Sequence, residues 1–328
     1  SPSHRSEPGP DLATTHRMTS SDGAGHHIGD TAPTRELLRR LELDVRMKLD
    51  GLLHGDYRGL LPGHGSDLGE TREYQPGDDV RRIDWNVTAR LQETHVRETI
   101  ADRELETHIL IDLSPSLDFG TVRQEKRDLV LAAVAAIGLL TARVGNRVGA
   151  LLLSPAGITT VPAAQGRQHL MAILHRLAEA PREDGGSVDL AVGLERLAAT
   201  ARRRGLVVVV SDFLGATDWE RPLGRLATRH DVLAVEVLDP RELELPDVGV
   251  ITLTDPETGA QRDVPTGRAS VRARYAEAAA NQRASIAAGV TRAGAGHLRL
   301  RTDRDWLMDL ARFILNRRKR QSAARRPA

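Results

Sequence analysis

The sequence predicts an α/β fold: a doubly wound, mostly parallel sheet preceded by an N-terminal helix and hairpin layer. Three observations carry that prediction. From Glu104 onward, strand-like and helix-like segments alternate, as a doubly wound sheet requires. The run LVVVV at 206–210 is apolar without alternation, the pattern of a strand covered on both faces. The 328 residues are 40% hydrophobic, enough for one large or two ordinary domains at roughly 150 residues each. Aromatics make up only 3%, so the core must come from Leu, Val, Ile and Ala.

Residues 1–33 are rich in Pro, Ser, His and Gly, without periodicity, and are expected to form a disordered tail. Residues 34–103 form the N-terminal region. A helical pattern runs from Thr34 to Leu53, with Leu37, Leu38, Leu41, Leu43, Val45, Met47 and Leu49 among charges, Thr34 offering an N-cap and Gly51 a stop. Gly55 to Asp79 reads as hairpins and loops, and Thr94 to Ile100 as a strand. The main domain spans 104–317. Its expected strands are Thr107–Asp112, Arg147–Leu153, Ile158–Val161, Leu206–Val210, Val232–Leu238 and Leu298–Leu300. Helices are expected at Glu125–Val144, Gly166–Ala178, Asp189–Arg203, Trp219–Thr228, Ala269–Ala288 and Asp303–Arg317. Pro240 to Thr266 reads as an insertion, with a hairpin at the sheet edge. Residues 318–328 make a basic tail.

Composition narrows function. A net charge of +1 gives no global pull toward nucleic acid or acidic lipid. Without cysteine there are no disulfides, no thiol catalysis and no thiolate-bound zinc. The most apolar stretch, Leu129 to Leu140, is shorter than the roughly 20 residues that a membrane-spanning helix needs. No apolar signal segment opens the chain, so a cytoplasmic protein is expected. There is no phosphate-binding Gly-x-x-x-x-Gly-Lys loop and no Gly-x-Ser-x-Gly elbow. His54, His64 and His95 lack metal-ligand spacing, and Arg202-Arg203-Arg204 ends a predicted helix, where cations suit the dipole. A non-enzymatic role follows.

Three segments deliver oxygen donors to the carboxyl edge of the sheet, where open α/β folds bind ligands. Asp112, Ser114 and Ser116 follow the first strand, Ser187 precedes a helix, and Asp212 follows Ser211 after LVVVV. Such hard oxygen donors suit Mg²⁺ or Mn²⁺. The set resembles the metal-ion-dependent adhesion site (MIDAS) of von Willebrand factor A domains in order and spacing, with Ser187 and Ser211 in place of threonines. That resemblance implies a metal completed by a partner's carboxylate. Helix capping is the alternative for each residue, which would leave the site vestigial and metal-free. Asp118 reads either as an acid supporting the ligand set from behind or as a cap for the helix beginning near Glu125, and the capping role is the one expected.

Upstream, Gly69-Glu70-Thr71-Arg72-Glu73-Tyr74-Gln75-Pro76-Gly77-Asp78-Asp79 leads into Val80-Arg81-Arg82-Ile83-Asp84-Trp85. Pro76-Gly77 reads as a turn, the two aspartates as caps, and Trp85 as an anchor ringed by Arg81, Arg82 and Asp84. With His95-Val96-Arg97-Glu98 and the Asp112 loop, this run closely resembles the domain of unknown function 58 (DUF58) family from Leu52 to Phe119, and more loosely to Arg317. The resemblance implies a von Willebrand A-like adaptor that accompanies a MoxR-type AAA+ ATPase and a client protein in assembly or maturation of a target complex. The basic tail, Arg317-Arg318-Lys319-Arg320 with Arg325-Arg326, has no interleaved aromatics, so no specific nucleic acid partner is expected. A metal-dependent phosphohydrolase and a scaffold with a dead metal site are the rival readings.

Overall fold

The computed structural model describes residues 17–18, 31–53, 71–75, 78–80, 83–97, 105–122, 124–142, 145–183 and 185–324. In chain order the N-terminal elements are β1 (Arg17–Met18), α1 (Thr31–Leu53), β2 (Thr71–Glu73), α2 (Trp85–Leu91) and β3 (His95–Arg97). The main domain runs β4 (Glu106–Asp112), α3 (Lys126–Ala142), β5 (Arg147–Ser154), β6 (Gly157–Ala164), α4 (Arg167–Ala178), α5 (Leu190–Thr200) and β7 (Gly205–Ser211). It continues with α6 (Glu220–Ala227), β8 (Asp231–Leu238), β9 (Val250–Thr254), β10 (Gln261–Pro265), α7 (Ala269–Arg292), β11 (Gly296–Arg301) and α8 (Trp306–Ala324).

The central sheet has the order β11-β8-β7-β4-β5-β6. Every neighbouring pair is parallel except β5 with β6. Only Pro155 and Ala156 separate those two strands, and so short a connection permits only an antiparallel hairpin. The strand order reverses between β4 and β7, so the crevice at their carboxyl ends is a topological switch point. This is the expected doubly wound, mostly parallel arrangement.

Both faces of the sheet are covered, as LVVVV required. On one side α3 lies under α1, α4 and α8, and Ile109, Ile111, Val208 and Val210 point into that layer. On the other, Leu110, Val207 and Val209 meet α5, α6 and α7 around Trp219. Helix α3 is buried along almost its whole length, which is why it carries so little polarity. A Cβ at Gly138 would collide with Leu170 Cδ1, so the glycine sets the close approach of α3 and α4.

Several expectations about the N-terminal region need correction. Helix α1 starts at Thr31 rather than after Thr34; it ends at the expected Leu53, Gly51 not stopping it. Leu38 and Val45 enter the main core, so α1 is a layer of the α/β domain itself. Trp85 does not anchor its segment: it is 70% exposed, because α2 is a short helix with no buried residue. Asp84 instead caps that helix, accepting from the Asn86 and Val87 amides. Pro76, Gly77, Arg81 and Arg82 lie outside the described residues, as do residues 54–70 and 98–104. Strand β3 pairs antiparallel with β2. The hairpin β9–β10 forms as expected but is not an edge of the central sheet; it joins β1 in a separate three-stranded sheet. Helix α8 continues past Arg317 to Ala324. No helix among the described residues is long and apolar enough to cross a membrane.

Candidate metal centre at the topological switch point

Asp112 is the last residue of β4, and Ser114 and Ser116 lie in the turn that follows, around a short 3-10 helix at Pro115–Leu117. Ser211 ends β7 and Asp212 comes next. Because β4 and β7 are adjacent parallel strands, their final side chains meet. The Ser211 hydroxyl donates to Asp112 Oδ2 at 2.6 Å, and the Ser114 amide donates to Asp112 Oδ1 at 2.8 Å. The Ser116 hydroxyl donates to Asp212 Oδ2 at 2.7 Å, and Ser114 Oγ lies 3.0 Å from Ser116 Oγ. Ser187 reaches the same place through Gly185-Gly186. Both glycines have positive φ, and a Cβ on Gly186 would lie 2.9 Å from Pro155 Cβ. All five candidate residues therefore line one cavity of about 260 Å³, with Asp189, Phe213, Trp219 and Glu257 also in its wall.

The turn after β7 is tightly made. Phe213 has φ of 56°, a left-handed conformation uncommon outside glycine. Its amide donates to Ser211 Oγ and the Leu214 amide to Asp212 Oδ1, while its ring packs edge-on against Trp219 at 5.2 Å. This turn aims Asp212 inward instead of into solvent.

Behind Asp212 lies a set of charges that the sequence reading missed. Lys126 is wholly buried; its Nζ donates to Asp212 Oδ2 at 2.8 Å and to Glu242 Oε1 at 2.5 Å. Arg283 Nη1 donates to the Asp212 carbonyl at 3.0 Å and to Glu236 Oε1 at 3.1 Å. Burial works against the Asp212 charge, but the Lys126 ammonium prevails and holds that carboxyl below its ordinary range. The same partnership keeps Lys126 raised despite its burial. One signal in the sequence pointed here. Lys126 and Arg127 open a helix, at the end where the dipole disfavours cations, so each needs a nearby acid.

Arg127 finds that acid in Asp118, which corrects the capping role expected for it. Asp118 receives Arg127 Nη1 at 2.8 and 3.0 Å. Arg127 Nη2 also donates to the Ala180 and Pro181 carbonyls, fixing the loop that leads toward Ser187. At the start of α3, the Lys126 amide bonds to the Phe119 carbonyl and the Glu125 amide to Asp128. The helix after Ser187, α5, is capped by Asp189, which accepts from the Val192 amide; Ser187 is left exposed at the cavity.

Asp112 differs from Asp212. Its partners among the described residues are an amide and hydroxyls, with no cation. Burial, and then the Asp212 charge, push its carboxyl up to about 6. The donor set suits a divalent ion chemically. Ser116 and Ser211 turn their protons to carboxylates, and a hydroxyl oxygen has two lone pairs; in Ser116 one of them remains beyond its contact with Ser114. No three His, Cys, Asp or Glu side chains cluster as ligands among the described residues; this set has two carboxylates and otherwise depends on hydroxyls.

Comparison with known proteins places the chain. It is 54% identical to an uncharacterized protein of Mycobacterium tuberculosis over 86% of its own length and 89% of that protein's. It is 47% identical to an uncharacterized protein of Mycobacterium avium over 51% of its length and 99% of that protein's. Among solved structures, a conserved hypothetical protein BatB from Bacteroides thetaiotaomicron is similar with a TM-score of 0.39, 11% identity and coverage of 66% of this chain and 99% of BatB. The VWA domain of SpRpn10 is similar with a TM-score of 0.37, 12% identity and coverage of 63% and 94%. Residues 70–285 match the family described as "Protein of unknown function DUF58", and with that match and its mycobacterial relatives, the chain belongs to the DUF58 family.

Proposed function

We propose that this protein is a non-enzymatic, divalent-cation-dependent binding adaptor. Asp112, Ser114, Ser116, Ser187 and Asp212 would hold Mg²⁺ or Mn²⁺, and the ion would join them to an acidic side chain of a partner. One observation carries this reading: Asp112 is a buried carboxylate beside a second one, in a cavity wall, with only neutral donors among the described residues. A buried charge without a counter-charge is costly, and a hard cation at the cavity would relieve it.

The protein's own side chains have separable parts in this. Asp112 supplies the charge that attracts the ion, and Lys126 keeps Asp212 ionised and oriented. The serine hydroxyls fix both carboxylates. Lys126 and Arg283 are both committed to buried acids, so neither is offered to a phosphate, which favours an adaptor over a phosphohydrolase. By family resemblance, the partner is a MoxR-type AAA+ ATPase acting with a client protein in the cytoplasm.

Titration of Mg²⁺ by calorimetry tests the proposal, with Asp112→Ala as control. Saturable heat that disappears in the variant is expected; a wild-type protein that takes up no Mg²⁺ at millimolar concentration would sink it. A second reading, a metal-free scaffold, draws support from Lys126, which already places one positive charge on Asp212. Partner capture that survives chelator would favour it.

A further inference from the structure

Helices α5 and α6 pack against each other, and a groove of about 430 Å³ lies between them. Neither the motif nor the family resemblance assigns it. From α5 its wall takes Leu194, Glu195, Ala198 and Ala199. From α6 and the turn beyond it come Pro222, Arg225, Leu226 and Arg229. Steps of three and four residues put each set on one helix face, so side chains form the walls. Leu194, Pro222 and Leu226 are buried and make the floor, while Ala198, Ala199, Arg225 and Arg229 are exposed along the rim.

The surroundings are basic. Arg202-Arg203-Arg204, expected at the end of a helix, stand instead in the turn between α5 and β7, and all three are exposed. Arg229 Nη2 donates to the Arg202 carbonyl at 3.3 Å, which joins that turn to the groove. Glu106 approaches Arg203 at 3.9 Å, and Glu195 pairs with Arg225 at 2.7 Å. The Glu195–Arg225 pair is largely exposed and contributes little, so an incoming acid can replace Glu195. The groove is also separate from the candidate metal centre. Helix α5 begins at that cavity with Leu190 and reaches Ala198 roughly 12 Å further along its axis.

We infer that this groove is a second docking surface, which takes an acidic segment of a partner protein with an aliphatic side chain among its acids. The aliphatic side chain enters between Leu194, Ala198 and Leu226, and the acids meet Arg225, Arg229 and the turn at 202–204. A nucleic acid would answer the charge but not the walls: among the described residues no aromatic ring lines the groove for a base to stack on. The inference does not depend on a bound cation. With both sites in use, the protein holds one partner at the carboxyl edge of the sheet and another beside its amino edge.

Selection of a phage-displayed library of random peptides on the full chain tests this, in chelator so that no metal-bridged acid contributes. Enriched peptides are expected to carry Asp or Glu around a Leu, Ile or Met, and to be released by salt. Two variants then locate them. Arg225→Glu with Arg229→Glu reverses the charge of the rim, and Ala198→Trp fills the groove; all three positions are exposed, so melting temperatures should stay close to that of the wild type. Each variant should weaken the enriched peptides by about tenfold. Failure to enrich acidic peptides, or equal binding by the wild type and both variants, would overturn the docking surface. A DNA oligonucleotide that binds more tightly than the peptides, and binds Ala198→Trp as well as it binds the wild type, would overturn the protein segment in favour of nucleic acid.

Discussion

Two halves of one buried cluster treat a carboxylate in opposite ways. On the inner side, Asp212 has Lys126 against one oxygen, and Glu242 and Arg283 close the network behind it. On the cavity side, Asp112 is buried too, yet among the described residues its company is Ser211 and the Ser114 amide and hydroxyl. Burial alone would raise both carboxyls. Asp212 is lowered and Asp112 raised, so the difference lies in the counter-charge and not in depth. The inner half is a finished structural unit. The outer half is electrostatically incomplete, which is what a site for a cation requires and a core does not.

The contrast can be broken most forcefully from the inside. Lys126→Met would leave Asp212 and Glu242 buried without their shared cation, and unfolding in denaturant should show a loss of about 3–5 kcal/mol. A loss no larger than that of a surface substitution would show that the inner half is not the structural unit described. Next in size is an effect on the outer half. Mg²⁺ at about a hundred times its dissociation constant should stabilise the folded protein by about 2.7 kcal/mol, seen as a rise in melting temperature that chelator reverses. Asp112→Asn should abolish that gain while remaining within about 1 kcal/mol of the metal-free wild type, because it removes a charge that nothing compensates. If Asp112→Asn were as damaging as Lys126→Met, the two halves would not differ as argued.

A carboxylate elsewhere sharpens the comparison by its modest effect. Glu42 on α1 is held by Arg167, at 2.7 and 2.6 Å, and by Arg46 at 2.9 Å. The Arg167 hydrogen bond, against the opposing effect of burial, keeps its pKa below the ordinary 4.5. A depressed acid stabilises the folded state fully above its unfolded pKa and ceases to do so as pH falls through the folded one. The α1 contact should therefore hold above about pH 5 and weaken below 4.5. Glu42→Gln should flatten this acid limb of the stability profile by removing, at neutral pH, the stabilisation of at most about 1 kcal/mol that a partly exposed pair contributes there, with no difference at low pH. An unchanged acid limb would show that Glu42 does not couple α1 to the domain.

Much of this architecture is legible in the sequence because it is encoded locally. Residues 206–210 announce a strand buried on both faces, and Leu129 to Leu140 a helix sealed on nearly all sides. Asp112, Ser114 and Ser116 sit within a single turn, so their spacing alone predicts their convergence. Asp212 and Ser187 follow from the rule that such loops gather at the switch point. What escaped depends on distant partners. Lys126 meets Glu242 across 116 positions, and no local pattern pairs them. Glu257 reaches the cavity because its hairpin leaves the central sheet, whereas strand-like residues by themselves suggested an edge. Trp85 misled because a large aromatic side chain was read as an anchor, although its helix buries nothing.

The long separations have a consequence for how the molecule is made. Ser116 meets Asp212 across 96 positions, Ser211 meets Asp112 across 99, and Thr121 meets Asp239 across 118. Contacts so remote in sequence close late, since the chain between them must first be ordered. A nascent chain that has passed Lys126 but not yet Glu242 has a cation still lacking at least one of its two acids, so the charge network behind the crevice cannot close until the chain beyond β8 is in place. The cavity is in that sense a certificate of completed folding: whatever binds there meets only finished molecules.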